Sequence, residues 1–221
     1  MRAIVFTELV LPLTDVHSLY ETKMVKPQPA SRDLLVKISA IAVNPVDTTL
    51  RQREVPKAPR ILGWDACVVV ESVGNEVSLF KPGDWVYYAG FIDRPGCYAE
   101  YGLVDERIAG HKPKSLTAVQ AAALPLTSIT AWELLFDRLA IAENSVVGKS
   151  ILIIGAAGGV GSILIQLARK LTKLRILATA SRPETQHWVS ELGAHAVIDH
   201  KNPFSQQLAA LVLNMSTMSL H

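Results

Sequence analysis

The residues with the clearest chemical pattern form the glycine-rich string Gly155-Ala-Ala-Gly-Gly-Val-Gly161. A backbone without a Cβ atom at Gly158 lets a diphosphate approach a helix N-terminus, where free N–H groups and the helix dipole favour an anion. Gly161 lets that helix pack closely on the preceding strand, and Ala156 replaces the first glycine of the usual G-x-G-x-x-G spacing. The string predicts a dinucleotide site. A tight strand-to-helix turn without a ligand is the alternative.

A second signal lies about 20 residues further on, at the end of the next predicted strand. Proteins that select NAD commonly have a carboxylate there, which accepts hydrogen bonds from the ribose 2′-hydroxyl. This chain has Ser181 and Arg182 instead. Because a guanidinium binds a 2′-phosphate and no carboxylate repels it, we expect NADP(H). The alternative is that Arg182 is a solvated surface charge.

The elements around the string must present it at the edge of a sheet. An apolar run precedes the string, and the residues after it place apolar side chains on one side of a helix. A βαβαβ unit and the start of a crossover are therefore predicted. The predicted elements are strand Ser150–Ile154, helix Gly158–Leu171, strand Arg175–Ala180, helix Pro183–Leu192, strand Ala196–Asp199 and helix Pro203–Leu213.

The residues before position 120 predict a compact, mostly antiparallel β domain. Short runs rich in branched and aromatic residues alternate there with Gly, Pro and Asn turn signals. Between the two halves, 117–139 predicts a helical connection broken at Pro125. The fold class is α/β plus β, with domains at 1–120 and 121–221. The predicted strands of the first domain are Arg2–Phe6, Leu34–Val43, Ala66–Val73, Trp85–Ala89 and Ala99–Val104.

Composition and charge argue against several classes of partner. The chain has 22 basic and 20 acidic side chains and a formal charge of +2, so we expect no nucleic-acid or anionic membrane partner. No stretch approaches the roughly 20 uncharged apolar residues of a bilayer span, and Met1 opens no signal peptide. Cys67 and Cys97 cannot form a multi-thiolate zinc site and suit a reducing compartment. We expect a cytoplasmic protein.

Three further segments complete a resemblance to a known family. They are Ala42-Val-Asn-Pro-Val-Asp47, Lys81-Pro-Gly-Asp84 and Leu124–Leu135. Together with the glycine string, they resemble the quinone-reductase branch of the medium-chain dehydrogenase/reductase superfamily, in particular its zinc-type alcohol dehydrogenase-like group. The resemblance runs from Met1 to about Leu211. It implies an N-terminal GroES-like β domain followed by a Rossmann dinucleotide-binding domain.

The resemblance also assigns roles to individual residues. It places the predicted catalytic residues Asn44 and Asp47 in the active-site cleft. The alternatives are that Asn44 is a turn residue before proline and that Asp47 caps a helical turn. His200 stands where the family commonly has a tyrosine near the adenosine phosphate, and a surface histidine is equally expected. The predicted cofactor-binding residues are Thr127, Thr130, Gly155, Ala156, Ala157, Gly158, Gly159, Val160, Gly161, Ser181, Arg182 and His200.

Zinc is not expected, although it features in the group's name. Zinc-using relatives have a cysteine where this chain has Asn44, and Gly-His-Glu where it has Gly63-Trp64-Asp65. Catalytic zinc needs three N, S or carboxylate ligands, so Asp65 alone cannot hold it. We therefore expect NADPH-dependent hydride transfer, without zinc, to small-molecule quinones or activated carbonyls and enones. The alternatives are a zinc-type alcohol dehydrogenase and a non-catalytic NADP-binding protein.

The chain is expected to be truncated within its dinucleotide fold. That fold needs two βαβαβ halves, and only the first half is predicted here. The tail from Leu213 to His221 lacks a strand pattern, and for one choice of codons a reading frame shifted by one base encodes a strand-like sequence. We hypothesise a frameshift, and expect a weakly active or inactive, poorly soluble chain. The resemblance implies a homodimer, with its pairing surface largely in the part of the fold that is not predicted here.

Overall fold

The computed structural model describes residues 1–7, 12, 14–53, 56–144 and 148–218, with the side chains of 212–218 left aside. The chain divides into two compact units, Met1–Leu126 and Thr127–His221. The first unit is mainly antiparallel β structure, and the second alternates parallel strands with helices.

In the described part of the first unit, eight strands form two antiparallel sheets. One has the order β2-β1-β4 and the other the order β7-β3-β5-β6-β8. Strands β1 and β6 have the predicted bounds, whereas β2, β4 and β8 were not predicted because each has only two to four residues. The strands are β1 Arg2–Phe6, β2 Tyr20–Lys23, β3 Asp33–Ala42, β4 Arg60–Ile61, β5 Asp65–Val73, β6 Trp85–Ala89, β7 Tyr101–Asp105 and β8 Ala109–His111.

The five-stranded sheet has a core of aliphatic side chains. Leu34, Val36, Val68, Val70 and Val86 are all buried in it. Full burial of an aliphatic side chain contributes about 1.5–3 kcal/mol, so these side chains contribute substantially to the stability of the unit. The sheet therefore provides a rigid frame for residues at the ends of its strands.

Helices follow or connect the strands. Helix α1 was not predicted, because its sequence is largely polar and carries no clear apolar period. It begins at a proline, which suits the first helical turn. The predicted break at Pro125 is present, because α2 ends before it and α3 begins there. The helices are α1 Pro45–Arg53, α2 Ala118–Ala122 and α3 Pro125–Trp132, followed by a π-helical stretch, Glu133–Arg138.

The second unit contains a parallel three-stranded sheet in the order β11-β10-β9. Helix α4 packs its apolar side on this sheet through Leu164, Ile165 and Ala168. The alternation of strand and helix agrees with the predicted βαβαβ unit. Its elements are β9 Ser150–Ile153, α4 Gly159–Leu171, β10 Arg175–Thr179, α5 Pro183–Glu191, β11 Ala196–Ile198 and α6 Phe204–Met218.

The C-terminal helix differs from the sequence prediction. Helix α6 continues to Met218, whereas the predicted helix ends at Leu213. No Gly or Pro occurs between these two positions to stop it. The frameshift hypothesis concerns the tail after Leu213, and its last residues, 219–221, lie outside the described residues.

One helical run meets the length and composition of a bilayer span, contrary to the sequence expectation. It is Ala118–Arg138, 21 residues with a mean hydropathy of 1.2 in its best window. The run is broken before Pro125. Within it, Ala122 is buried in the first unit and Leu135 in the second. Length and composition are weak evidence by themselves, since core helices pass the same test.

Candidate functional site

The glycine-rich string forms the turn between β9 and α4, as the sequence predicts. Gly155 follows the strand with φ of 67°, a conformation that favours glycine. Its N–H donates to Thr179 Oγ1 at 3.0 Å, at the end of the neighbouring strand β10. The N–H of Gly158 donates to the Gly155 carbonyl at 3.0 Å. The turn is therefore anchored to the sheet and closed on itself.

The start of α4 has the properties of an anion site. Gly158 is its N-cap residue and makes no side-chain cap. Consequently no capping side-chain oxygen at that position competes for the first-turn N–H groups of this 13-residue helix. Those groups and the helix dipole attract a negative charge.

Side chains on the glycines would fill the space beside the turn. An ideal Cβ on Gly161 would lie 2.6 Å from Ala156 Cα, and one on Gly158 would lie 3.2 Å from the Gly155 carbonyl oxygen. Ala156, which replaces the usual first glycine, is fully buried beneath the helix. The bare backbone thus fits the requirements of a diphosphate, and Gly161 serves helix packing.

Both predicted threonines lie on α3, in the part of that helix that belongs to the second unit. The Thr127 methyl group, Cγ2, lies 3.1 Å from the position of a Cβ on Gly159. Thr127 is half-buried and Thr130 is exposed. The structure therefore places Thr127 beside the glycine turn. A cofactor-binding role for Thr130 stays a prediction.

The remaining predicted cofactor residues lie at one edge of the parallel sheet. Ser181 and Arg182 follow β10, and His200 follows β11. Because β9, β10 and β11 are parallel, their carboxyl ends meet at the same edge as the glycine turn. Ser181 is half-buried, whereas Arg182 and His200 are exposed. Cofactor-binding roles for these residues stay predictions.

Two charged residues at this edge, Asp199 and Arg182, are also part of local turns. The Asp199 carboxylate accepts hydrogen bonds from the Lys201 N–H at 2.9 Å and the Asn202 Nδ2 at 3.1 Å. It is thus engaged within its own turn. The Arg182 backbone N–H donates to Thr185 Oγ1 at 3.3 Å, at the start of α5.

In the first unit, a buried carboxylate holds Asn44. Ala42, at the end of β3, pairs with Asp65 at the start of β5. Asn44 follows two residues later, and its Nδ2 donates to Asp65 Oδ2 at 3.1 Å. The backbone N–H of Leu126 donates to Asp65 Oδ1 at 3.1 Å. Both oxygens of this fully buried side chain are therefore engaged.

Asp47 is a second buried carboxylate in the same cluster. Its Oδ2 accepts from the Asn44 backbone N–H at 2.8 Å and from the Tyr98 hydroxyl at 2.8 Å. The first bond caps the start of α1, which is the structural alternative recognised in the sequence. Among the described residues, Oδ1 is buried and accepts no hydrogen bond. Asp47 therefore retains the capacity to accept from one more donor.

Tyr98 reaches Asp47 because a glycine gives it room. Gly63 has φ of 89°, and a Cβ there would lie 2.3 Å from the Tyr98 ring. Burial, together with the bond to Asp47, raises the pKa of the Tyr98 hydroxyl above its ordinary value. Tyr98 therefore remains a hydrogen-bond donor at neutral pH.

Burial also changes the acidity of Asp65. It raises the pKa of this carboxyl to about 6, and the nearby charge of Asp47 adds to the effect. Hydrogen bonds from the Leu126 N–H and from Asn44 act in the opposite direction. Asp65 is thus ionised at pH 7.5 but titrates close to neutrality.

At the positions that hold zinc in some relatives, the side chains of this chain form hydrogen bonds within the protein. Trp64 donates its indole N–H to the Arg94 carbonyl at 3.3 Å, and Asn44 binds Asp65. Cys97 directs its Sγ to the Asp65 carbonyl at 3.6 Å, and burial raises its thiol pKa to about 12. Within the described ranges, no three His, Cys, Asp or Glu side chains form a metal-binding group. This donor set does not fit catalytic zinc.

Two residues of the cluster were missed as site residues by the sequence analysis. Asp65 carried a usable signal, since a carboxylate opening an otherwise apolar strand must find partners when buried. Tyr98 carried none, because its contact depends on the positive φ of Gly63.

Comparison with known proteins agrees with this architecture. Residues 30–114 match the family model of the alcohol dehydrogenase GroES-like domain. A zinc-type alcohol dehydrogenase-like protein of Staphylococcus aureus (strain COL) is 46% identical over 201 residues, covering 90% of this chain and 60% of that protein. The quinone oxidoreductase of Mus musculus is 36% identical over 184 residues, covering 82% of this chain and 54% of that protein. The chain thus spans 54–60% of the length of these relatives.

Solved structures are also similar to this chain over nearly its whole length. A protein of Rhizobium etli CFN 42 that is described as a zinc-dependent alcohol dehydrogenase is 52% identical with a TM-score of 0.90, covering 96% of this chain and 62% of that one. A mycobacterial protein in complex with NADPH is 31% identical with a TM-score of 0.79, covering 98% of this chain and 64% of that one. The predicted combination of a GroES-like domain and a partial Rossmann fold is therefore confirmed. Residues 30–114 thus belong to the alcohol dehydrogenase GroES-like domain family, and the chain is homologous to zinc-type alcohol dehydrogenase-like and quinone oxidoreductase proteins, with structural neighbours in the medium-chain dehydrogenase/reductase superfamily.

Proposed function

We propose that this chain is part of an NADPH-dependent oxidoreductase that reduces quinones or activated carbonyls and enones without zinc. The observation that carries the proposal is the glycine turn at the end of β9, with the N-terminus of α4 left uncapped by Gly158. A bare backbone at a helix N-terminus is suited to a dinucleotide diphosphate. The family is one of oxidoreductases, which agrees with a redox role.

NADPH is the proposed cofactor for two reasons. Arg182 follows β10 where NAD-selecting folds have a carboxylate, and a guanidinium suits a 2′-phosphate. In addition, a structural neighbour contains NADPH. In this proposal the glycine turn holds the diphosphate, while Ser181, Arg182 and His200 lie at the sheet edge that faces the adenosine phosphate.

The proposed chemistry is direct hydride transfer. The nicotinamide of NADPH supplies a hydride from C4, leaving NADP⁺, and the reduced acceptor takes a proton from solvent. The protein contributes positioning and the exclusion of water. Asn44 and Asp47 are the proposed polar residues on the β-domain side, held by Asp65 and Tyr98. Zinc independence is supported by the engaged donors around Asn44 and Trp64.

The test follows NADPH absorbance after the addition of a small quinone, with and without a strong chelator. We expect NADPH oxidation that depends on the quinone and is unchanged by the chelator. In the matched assay, the protein is given a primary alcohol and NADP⁺ instead of a quinone and NADPH. Loss of activity with the chelator, or alcohol oxidation as the main activity, would contradict the proposal.

A non-catalytic NADP-binding protein is the second candidate. It shares the glycine turn and the uncapped start of α4 with the first proposal and differs from it in having no transfer step. NADPH binding without hydride transfer to any quinone or enone would support it against the first proposal.

A further inference from the structure

We propose that Asp65 is a positioning residue that locks the amide of Asn44 so that its oxygen, Oδ1, is presented as a hydrogen-bond acceptor. The group that meets Asn44 is then an N–H or O–H donor, such as a carboxamide NH₂ group or a hydroxyl. It is not the carbonyl oxygen of the hydride acceptor. This inference rests on the proposed function for its kinetic consequence, whereas the orientation itself can be tested without turnover.

The first step of the argument is that Asp65 cannot rotate freely. It is fully buried, and its Oδ1 is held by the Leu126 N–H at 3.1 Å. Ala42 pairs with Asp65, which fixes the end of β3 beside the start of β5. Asp65 opens β5, and Asn44 follows the end of β3 by two residues. Only Oδ2 is left to face Asn44, at 3.1 Å.

The second step concerns which end of the Asn44 amide faces the carboxylate. An ionised carboxylate is an acceptor only, so the group beside it must be the donor Nδ2. Nδ2 also lies 3.5 Å from the Ala42 carbonyl oxygen, a second acceptor. Two acceptors on one side assign Nδ2 to that side and turn Oδ1 away from it.

The third step is the chemical consequence. Asn44 is half-buried, so its outward oxygen is accessible to a ligand. Asp47, which binds the Asn44 backbone N–H, has a further buried oxygen, Oδ1, that accepts no bond among the described residues. Asn44 therefore offers an acceptor to a ligand, whereas the free oxygen of Asp47 is enclosed within the protein. A ligand with donors on this side is favoured over one with only carbonyl oxygens.

The test replaces the carboxylate with its amide. In Asp65→Asn, the new oxygen can keep the Leu126 N–H, while the new NH₂ group must face Asn44. Asn44 then turns its oxygen inward and presents NH₂ outward. The double variant Asn44→Asp, Asp65→Asn restores an outward oxygen at position 44, because the new amide at position 65 donates to the new carboxylate. The matched control is Asp84→Asn, which alters a carboxylate that accepts the Lys81 N–H in a turn of the same unit.

Kinetics and thermal melting give the first readout. We expect Asp65→Asn to lower kcat/KM for NADPH about tenfold or more, since a misplaced hydrogen-bonding group costs at least about 1.4 kcal/mol. Its Tm should be unchanged or higher, the double variant should recover part of the loss, and Asp84→Asn should stay within twofold. A kcat/KM within twofold of the parent for Asp65→Asn would overturn the inference.

The second readout is independent of turnover. The side-chain NH₂ resonances of Asn44 in ¹⁵N NMR should shift as Asp65 titrates near pH 6, and should not do so in Asp65→Asn. Asp47 also faces this cluster, as does the Leu126 N–H, so the same titration is repeated in Asp47→Asn. Asn44 resonances that do not shift as Asp65 titrates would overturn the inference. A parent chain without quinone reduction, but with this titration, would overturn the proposed function and leave the orientation supported.

Discussion

At the residue scale, the site depends on how buried polar atoms are paired. Asp65 uses both oxygens, whereas Asp47 uses only Oδ2 for the Asn44 N–H and the Tyr98 hydroxyl. The sequence could identify Asn44 and Asp47, because the segment around them resembles a known motif. It could not identify their partners, because Asp65 and Tyr98 come close only through strand pairing and the backbone conformation of Gly63.

The Tyr98 hydroxyl should contribute measurably to stability. Tyr98→Phe removes the donor 2.8 Å from Asp47 Oδ2 and leaves a buried carboxylate with one protein donor fewer. We expect a loss of about 1–3 kcal/mol in the free energy of unfolding, measured in urea. Tyr101→Phe is the control, since Tyr101 contacts Lys26 through its ring, which the variant keeps. Equal stability of the two variants would contradict this assignment.

His195 should make the second unit sensitive to acid. Its Nδ1 accepts the Ile176 N–H at 2.9 Å, and its Nε2 lies 2.6 Å from the Arg169 guanidinium. Burial and the charges of Arg169 and Arg175 lower its pKa below the ordinary 6.5. Because the folded pKa is lowered, the unfolded chain takes up the proton first as pH falls.

Stability should therefore be full above pH 6.5 and decrease below it, until the folded pKa is passed. The measurement is Tm between pH 7.5 and 5 for the parent and for His195→Asn, which keeps an acceptor but does not titrate. We expect a smaller fall of Tm in the variant. Identical pH profiles would exclude His195 as a source of acid sensitivity.

At the element scale, the fold was most predictable where apolar periodicity was strong. Strands β1 and β6 and helix α4 lie within one residue of their predicted bounds. The short strands were missed, since two to four residues cannot show a period. The π-helical stretch Glu133–Arg138 was predicted only as helix, because its wider turn depends on packing rather than on residue type.

Close packing of α4 on the turn should make Gly161 intolerant of a side chain. In Gly161→Ala the new Cβ would lie 2.6 Å from Ala156 Cα, so backbone must shift. We expect a loss of about 1–3 kcal/mol from overpacking, measured as the free energy of unfolding, together with weaker NADPH binding.

Gly155→Ala separates backbone strain from overpacking. Its Cβ would meet nothing within 4 Å, but its φ of 67° is unfavourable for alanine by about 1–2 kcal/mol. Full stability of Gly161→Ala would show that the helix can move away from the turn.

At the scale of the whole molecule, the chain joins a GroES-like unit to the first part of a Rossmann fold. The order of these units could be predicted from sequence, because a β-rich half and a βαβαβ half differ in the spacing of their apolar residues. The carboxyl ends of three parallel strands meet at one sheet edge, and in the proposed function this edge sets the cofactor preference.

Arg182 should determine the choice between NADPH and NADH. It is exposed after β10, so its replacement should leave the fold unchanged. In Arg182→Glu we expect at least a tenfold weaker affinity for NADPH and unchanged or tighter binding of NADH, because a carboxylate repels the 2′-phosphate and accepts from the 2′-hydroxyl. Glu184→Gln, in the first turn of α5, is the control. An unchanged ratio of the two dissociation constants would assign Arg182 to the solvated surface.

The most direct test of the account is the dissociation constant of NADPH, measured by calorimetry in the presence of a chelator. The parent chain is compared with Gly158→Val, which places a branched side chain on the turn before α4. The control is Gly102→Ala in β7, whose Cβ would make only ordinary contacts, the nearest at 3.7 Å with Ile38. We expect the parent and the control to bind NADPH alike, and Gly158→Val to stay folded but to bind at least tenfold more weakly. Equal affinity in Gly158→Val, or no binding by the parent chain, would contradict the claim that this turn holds the diphosphate.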